Sequence, residues 1–226
     1  MWFKDASPDD RWHDAIVHLR KDRTLAKIID RVGPCTLRPK LSRDYYIRLV
    51  QSILSQQVSV KAASAMYRKL SSHFPRQRPT PERIVEFLTT ADDDVIRSCG
   101  LSRQKRAYLH DLAERFASRK IDPKQFAKMD DELLIAHLTE VKGIGQWTVE
   151  MLLIFALNRP DVWPVDDLAI RESLYKHWPR KFDERPTPGQ VRDFADKWRP
   201  WRTVASWYLW RGLSLTQADE KAKAKR

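Results

Sequence analysis
The chain has 226 residues, with 42 Lys and Arg against 30 Asp and Glu, a formal net charge of +12 and a sequence pI near 9.8. That length suits one large domain or two small lobes with a real core, and the positive excess favours a polyanionic partner unless it serves solubility alone. Two cysteines, Cys35 and Cys99, are too few for an iron–sulfur cluster or a disulfide framework, and no apolar run is long enough to span a bilayer.

The N-terminal MWFKDASPDDRWHD lacks the basic, apolar and small-residue order of a signal peptide. With two thiols that fit a reducing interior, a soluble intracellular protein is expected: cytoplasm or nucleoid, or the nucleus of a eukaryote. The six histidines show no zinc spacing, and neither a Ser-His-Asp order nor a phosphate-binding Gly-Lys-Ser motif occurs.

Helical signals dominate from the start. Residues 12–19 and 24–32 read as two short amphipathic helices closed by Gly33-Pro34. From Asp44 a stronger helix runs through YYIRLVQSILS, with Tyr46, Leu49, Ile53 and Leu54 at helical spacing. Ser55-Gln56-Gln57-Val58-Ser59 then makes a loop before a helix from about Ser59 to His73, whose Ala62, Ala63 and Ala65 allow a close neighbour. Thr80-Pro81 opens ERIVEFLTT, Asp92 or Asp93 starts a short helix ended by Cys99-Gly100, and Ser102 caps a longer one.

Asp130 caps a helix that leads to VKGIGQWT, in which Gly143 and Gly145 flank Ile144. This reads as a hairpin between two helices, too tight for side chains at either glycine, whose free N–H groups suit a phosphate; a plain helix C-cap and turn is the other reading. After the apolar helix, Trp163-Pro164-Val165 leads into Asp166-Asp167, with Asp166 the better N-cap and Asp167 one step inside. A further helix runs toward Tyr175, Thr187-Pro188-Gly189-Gln190 is a capping box, and the last helix runs from about Trp201 to Gly212. ADEKAKAKR reads as a frayed basic tail. The fold class is all-α, a compact helical array.

The run VKGIGQWT followed across one helix by WPVDDLAI resembles the helix-hairpin-helix DNA glycosylase superfamily, in its 3-methyladenine DNA glycosylase II (alkylpurine) branch, over about Asp44 to Gly212. The resemblance implies two helical lobes with a cleft between them: residues 41–127, and residues 1–40 with 128–216, leaving 217–226 as a tail. It implies a monofunctional glycosylase that flips and excises alkylated purines from double-stranded DNA by hydrolysis, with no cofactor required and a monomer expected.

Residue by residue, the resemblance makes Asp167 catalytic, since a sugar with oxocarbenium character calls for a nearby carboxylate. It puts Trp147 where strand-cutting relatives carry a nucleophilic lysine, so lyase chemistry is not expected. Trp147 and Trp210 match pocket aromatics, with Trp207 nearby in sequence, and electron-rich indoles suit a cationic base. Trp163, Trp178, Trp198 and Trp201 read as core. Gln57, with Gln56 beside it, matches the residue that wedges into the base stack. Lys142, Gly143, Ile144, Gly145 and Thr148 form the phosphate-facing hairpin; by their own positions near helix starts Lys142, Arg103 and Lys105 read either as phosphate contacts or as solvated surface charges. The carbonyls of Thr139, Val141 and Ile144 match a Na+ or K+ site. A non-catalytic DNA-binding hairpin module and a glycosylase for another damaged or mismatched base are the alternatives.

Overall fold
The computed structural model describes residues 10–38 and 44–223. Two helices come first, α1 (His13–Leu19) and α2 (Arg23–Val32). Seven follow: α3 (Tyr45–Ser55), α4 (Val60–Ser72), α5 (Pro81–Thr90), α6 (Asp93–Ser98), α7 (Arg103–Ala117), α8 (Asp131–Thr139) and α9 (Gln146–Leu152). A π-helical turn, Leu153–Leu157, continues from α9 and precedes α10 (Leu168–His177), α11 (Pro188–Phe194) and α12 (Arg202–Lys223). The described residues contain no β-strand, in keeping with the all-α expectation.

Most helix starts are set by side chains three residues or fewer away. Asp22, Asp44, Ser59, Thr80, Ser102, Asp130 and Thr187 each accept a main-chain N–H of the first turn, and Thr187 and Gln190 complete the expected capping box. Each such cap stabilises its helix by about 1 kcal/mol. Asp92 precedes α6 without a side-chain cap bond.

The described residues divide into two compact units, residues 44–152 and residues 10–38 with 153–223. The division falls after Leu152, where the resemblance implied one after residue 127. The hairpin therefore belongs with α3–α7: α8 packs on α9, and α9 packs on α3, a contact that a cut at residue 127 would break.

In the first unit α3 is central, packed against α4, α7 and α9, while α5 lies along α7. The apolar stripe Tyr46, Leu49, Ile53 and Leu54 is buried as its spacing predicts. In the second unit α12 packs against α2 and α10. Trp163, Trp178, Trp198, Phe182 and Phe194 form a connected ring cluster there, with ring centroids 5.2–5.7 Å apart. Trp163 and Trp198 are buried, Trp178 and Trp201 half-buried.

Two expectations about the C-terminus are corrected. Gly212 does not end the last helix; it lies inside α12, where an added Cβ would stand 2.7 Å from Ile28 Cγ2, so it serves the close approach of α12 to α2. Residues 217–223 are helical rather than frayed, because Asp219 pairs with Arg31 and Glu220 with Lys176; the expected tail's remaining residues, 224–226, lie outside the described residues. Cys35 and Cys99 are buried thiols, one in each unit, and no helix among the described residues is long and apolar enough to cross a membrane.

Candidate active site
In the second unit the doublet behaves differently from its sequence reading. Asp166 is exposed, and Asp167 is the N-cap of α10, its Oδ1 accepting Ile170 N–H at 2.9 Å. The cap moves one residue on because Asp167 N–H bonds to Pro164 O at 3.1 Å, which turns the chain just before the helix. Capping is only part of its geometry. The same Oδ1 accepts the indole N–H of Trp210 at 3.0 Å, and the residue is 8% exposed. A helix amide and an indole thus hold one carboxylate oxygen and fix the orientation of the group.

The segment that delivers Asp167 is anchored to α12. Asp161 accepts from Arg202 Nε at 2.8 Å and from Arg199 Nη1 at 2.9 Å; Val162 N–H donates to Thr203 Oγ1 at 2.9 Å. Trp163 Nε1 donates to Val191 O at 3.0 Å. Phe155, on the π-helical turn, stacks on Trp210 with centroids 5.7 Å apart and planes 26° from parallel. Sequence reasoning missed Phe155, because LLIFALN reads as ordinary core; a π turn is a frequent companion of functional sites and has no local sequence mark. Trp207 is 3% exposed, edge-on to Tyr208 at 4.9 Å with Arg211 beyond its ring.

In the first unit the hairpin and the glutamine loop line one open groove of about 810 Å³, with Lys105, Tyr108 and Met66. Gly143 has φ +81, and an added Cβ would lie 2.1 Å from the Tyr108 ring. Gly145 has no atom within 4 Å of the same position, so the expectation that both glycines are sterically required holds for Gly143 alone. Gln57 is exposed and left-handed, with φ 57. Gln56 instead turns inward and donates from Nε2 to Gly143 O at 2.7 Å, so it is tied to the hairpin and is no part of an exposed wedge.

Lys105 is likewise corrected. It is 9% exposed and donates to Leu54 O at 2.6 Å, capping the end of α3. Burial pushes its pKa below the ordinary lysine value. Lys142 and Arg103 are exposed, as phosphate contacts require, and Thr148 lies half-buried in the first turn of α9. Trp147 on α9 is 45% exposed.

The resemblance matched the main-chain carbonyls of Thr139, Val141 and Ile144 to a monovalent cation. Among the described residues those of Thr139 and Ile144 accept no hydrogen bond, while Val141 O accepts Ile144 N–H at 3.0 Å and keeps a second lone pair. No group of three or more His, Cys, Asp or Glu able to hold a metal occurs among the described residues.

Comparison with known proteins bears on both units. The family model for HhH-GPD superfamily base excision DNA repair proteins matches residues 50–200. DNA-3-methyladenine glycosylase 1 of Schizosaccharomyces pombe is 38% identical over 219 residues, covering 94% of this chain and 92% of that relative. The solved structure of the S. pombe 3-methyladenine DNA glycosylase Mag1 in complex with abasic DNA superposes with a TM-score of 0.73 at 37% identity, over 88% of this chain and 95% of that one. A DNA-3-methyladenine glycosidase from Bacillus halodurans gives a TM-score of 0.78 at 30% identity, over 96% and 95%. The chain belongs to the HhH-GPD superfamily of base excision DNA repair proteins, in the branch of the 3-methyladenine DNA glycosylases.

Proposed function
We propose that this protein is a monofunctional DNA glycosylase that extrudes alkylated purines from duplex DNA and hydrolyses the N-glycosidic bond, leaving an abasic site. The observation that carries this reading is the buried Asp167 carboxylate, oriented by Trp210 Nε1 as well as by its own helix. A residue needed only to cap α10 has no use for an indole partner. As an anion beside the sugar, Asp167 stabilises positive charge that develops as the base departs, and orients the attacking water.

An alkylated purine that already carries positive charge departs without prior protonation, so one carboxylate suffices. In the second unit the Phe155–Trp210 stack beside Asp167 supplies electron-rich rings that attract such a base. Trp147 cannot form a Schiff base, which supports hydrolysis without strand cleavage. Gln57 fills the gap left by the extruded nucleotide. The Gly143 and Gly145 amides with the Lys142 and Arg103 side chains hold DNA phosphates, and a monovalent cation on the Thr139, Val141 and Ile144 carbonyls would add positive charge toward a phosphate. The protein acts as a monomer, inside the cell.

The test is direct. Purified protein is incubated with methylated duplex DNA, and the released bases are identified by chromatography. Free methylated purines, with strands that break only on later alkali treatment, are expected. Intact methylated DNA after prolonged incubation would sink the proposal.

A further inference from the structure
The loop that carries Gln57 is held at both ends. Before it, the Lys105 ammonium, reaching from α7, takes the Leu54 carbonyl at the end of α3 at 2.6 Å. After it, Ser59 caps α4 through Ala62 N–H at 3.2 Å. Between these anchors Gln57 stands exposed in a left-handed conformation, which a residue with a Cβ keeps only where its surroundings over-determine it. The contact that reaches furthest is that of Gln56, whose half-buried amide donates to Gly143 O at 2.7 Å across 87 residues of sequence. Gly143 is itself seated on the Tyr108 ring of α7 with no room for a side chain. Loop, hairpin and α7 therefore meet at one residue, Gly143.

We propose that Gln56 is the positioning residue for the Gln57 wedge: its amide, bonded to the Gly143 carbonyl, makes the glutamine loop and the hairpin move as one body. Seating of the hairpin on a DNA phosphate then places Gln57 at a fixed depth, so that gripping the backbone and filling the vacated stack are one event. Without the bond the hairpin still grips, but Gln57 samples several positions and holds the extruded nucleotide for a smaller fraction of the time. The inference rests on the reading of Gln57 as the wedge, and it assigns Gln56 a part that involves no contact with DNA.

The experiment measures single-turnover release of methylated purines from one methylated DNA, as duplex and as separated strands, for the wild type, Gln56→Ala, Gln56→Met, Gln57→Ala and the Gln56→Ala/Gln57→Ala double variant. Gln56→Met fills the same space without a donor, which separates the hydrogen bond from packing. Both Gln56 variants are expected to lower the duplex-to-single-strand rate ratio by roughly three- to tenfold, the scale of one lost hydrogen bond. The double variant is expected to have the same ratio as Gln57→Ala alone, since Gln56 acts only through Gln57. A Gln56→Met ratio equal to wild type, or losses that multiply in the double variant, would overturn the proposal while leaving the wedge in place. A normal ratio for Gln57→Ala would remove the wedge itself, and no released base from wild type would remove the glycosylase reading.

Discussion
The indole N–H of Trp210 and the main-chain N–H of Ile170 converge on Oδ1 of Asp167, at 3.0 and 2.9 Å. The first bond ties α12 to the carboxylate and the second ties the carboxylate to α10, so the group's orientation is decided by two helices that pack on each other. Replacing Asp167 by Asn keeps an oxygen able to accept both bonds, removes the charge and puts an NH2 donor in place of Oδ2. Asp167→Asn should unfold within about 1 kcal/mol of the wild type, the scale of a cap difference, yet lose base excision by at least about 100-fold, as the loss of a transition-state electrostatic partner does. Excision at wild-type rate by that variant would exclude Asp167 from the chemistry.

Trp210→Phe keeps a ring to stack on Phe155 and deletes the donor to Asp167. A hydrogen bond to a charged group contributes about 1.5–3 kcal/mol, so the single-turnover rate should fall roughly 10- to 100-fold. Affinity for a duplex carrying an abasic-site analogue, measured by fluorescence anisotropy, should change far less. Equal losses in both would assign Trp210 to binding.

The two hairpin glycines should respond in opposite ways. Gly143→Ala meets both a positive φ and the Tyr108 ring, and should lower unfolding stability by about 2 kcal/mol or more. Gly145→Ala meets neither, and should leave the urea midpoint near that of the wild type while weakening binding to undamaged duplex, because the new methyl group occupies space open to a phosphate. A large stability loss in Gly145→Ala would contradict the geometry.

His177 makes stability depend on pH. Burial, then the charges of Arg31 and Lys176, hold its pKa below the ordinary value of 6.5, and its Nε2 is buried with no hydrogen-bond partner among the described residues. The folded state therefore binds the proton less readily than the unfolded state. Stability from this residue is complete above pH 6.5 and declines as the pH falls through the interval between the unfolded and folded pKa values. His177→Gln removes that proton, so its melting temperature should fall less than that of the wild type between pH 7 and 5.5. Parallel curves for the two proteins would refute the assignment.

What sequence alone determined is local. Asp44, Ser59, Thr80, Ser102, Asp130 and Thr187 were readable as helix starts because a cap bond spans three residues and needs nothing else. The buried stripe of α3 was readable because helical spacing shows in one dimension, and Asp167 stood out as the candidate through a family pattern in residues near one another along the chain. Tertiary structure decided the rest. Whether Asp166 or Asp167 caps α10 depended on the turn at Pro164, and whether Gly212 ends α12 or admits α2 depended on Ile28. Lys105 and Gln56 look like any polar surface residues until distant main-chain carbonyls, at Leu54 and Gly143, turn out to be their partners. A carbonyl has no side-chain identity, so contacts of this kind leave no trace in the order of residues and appear only when the chain is folded.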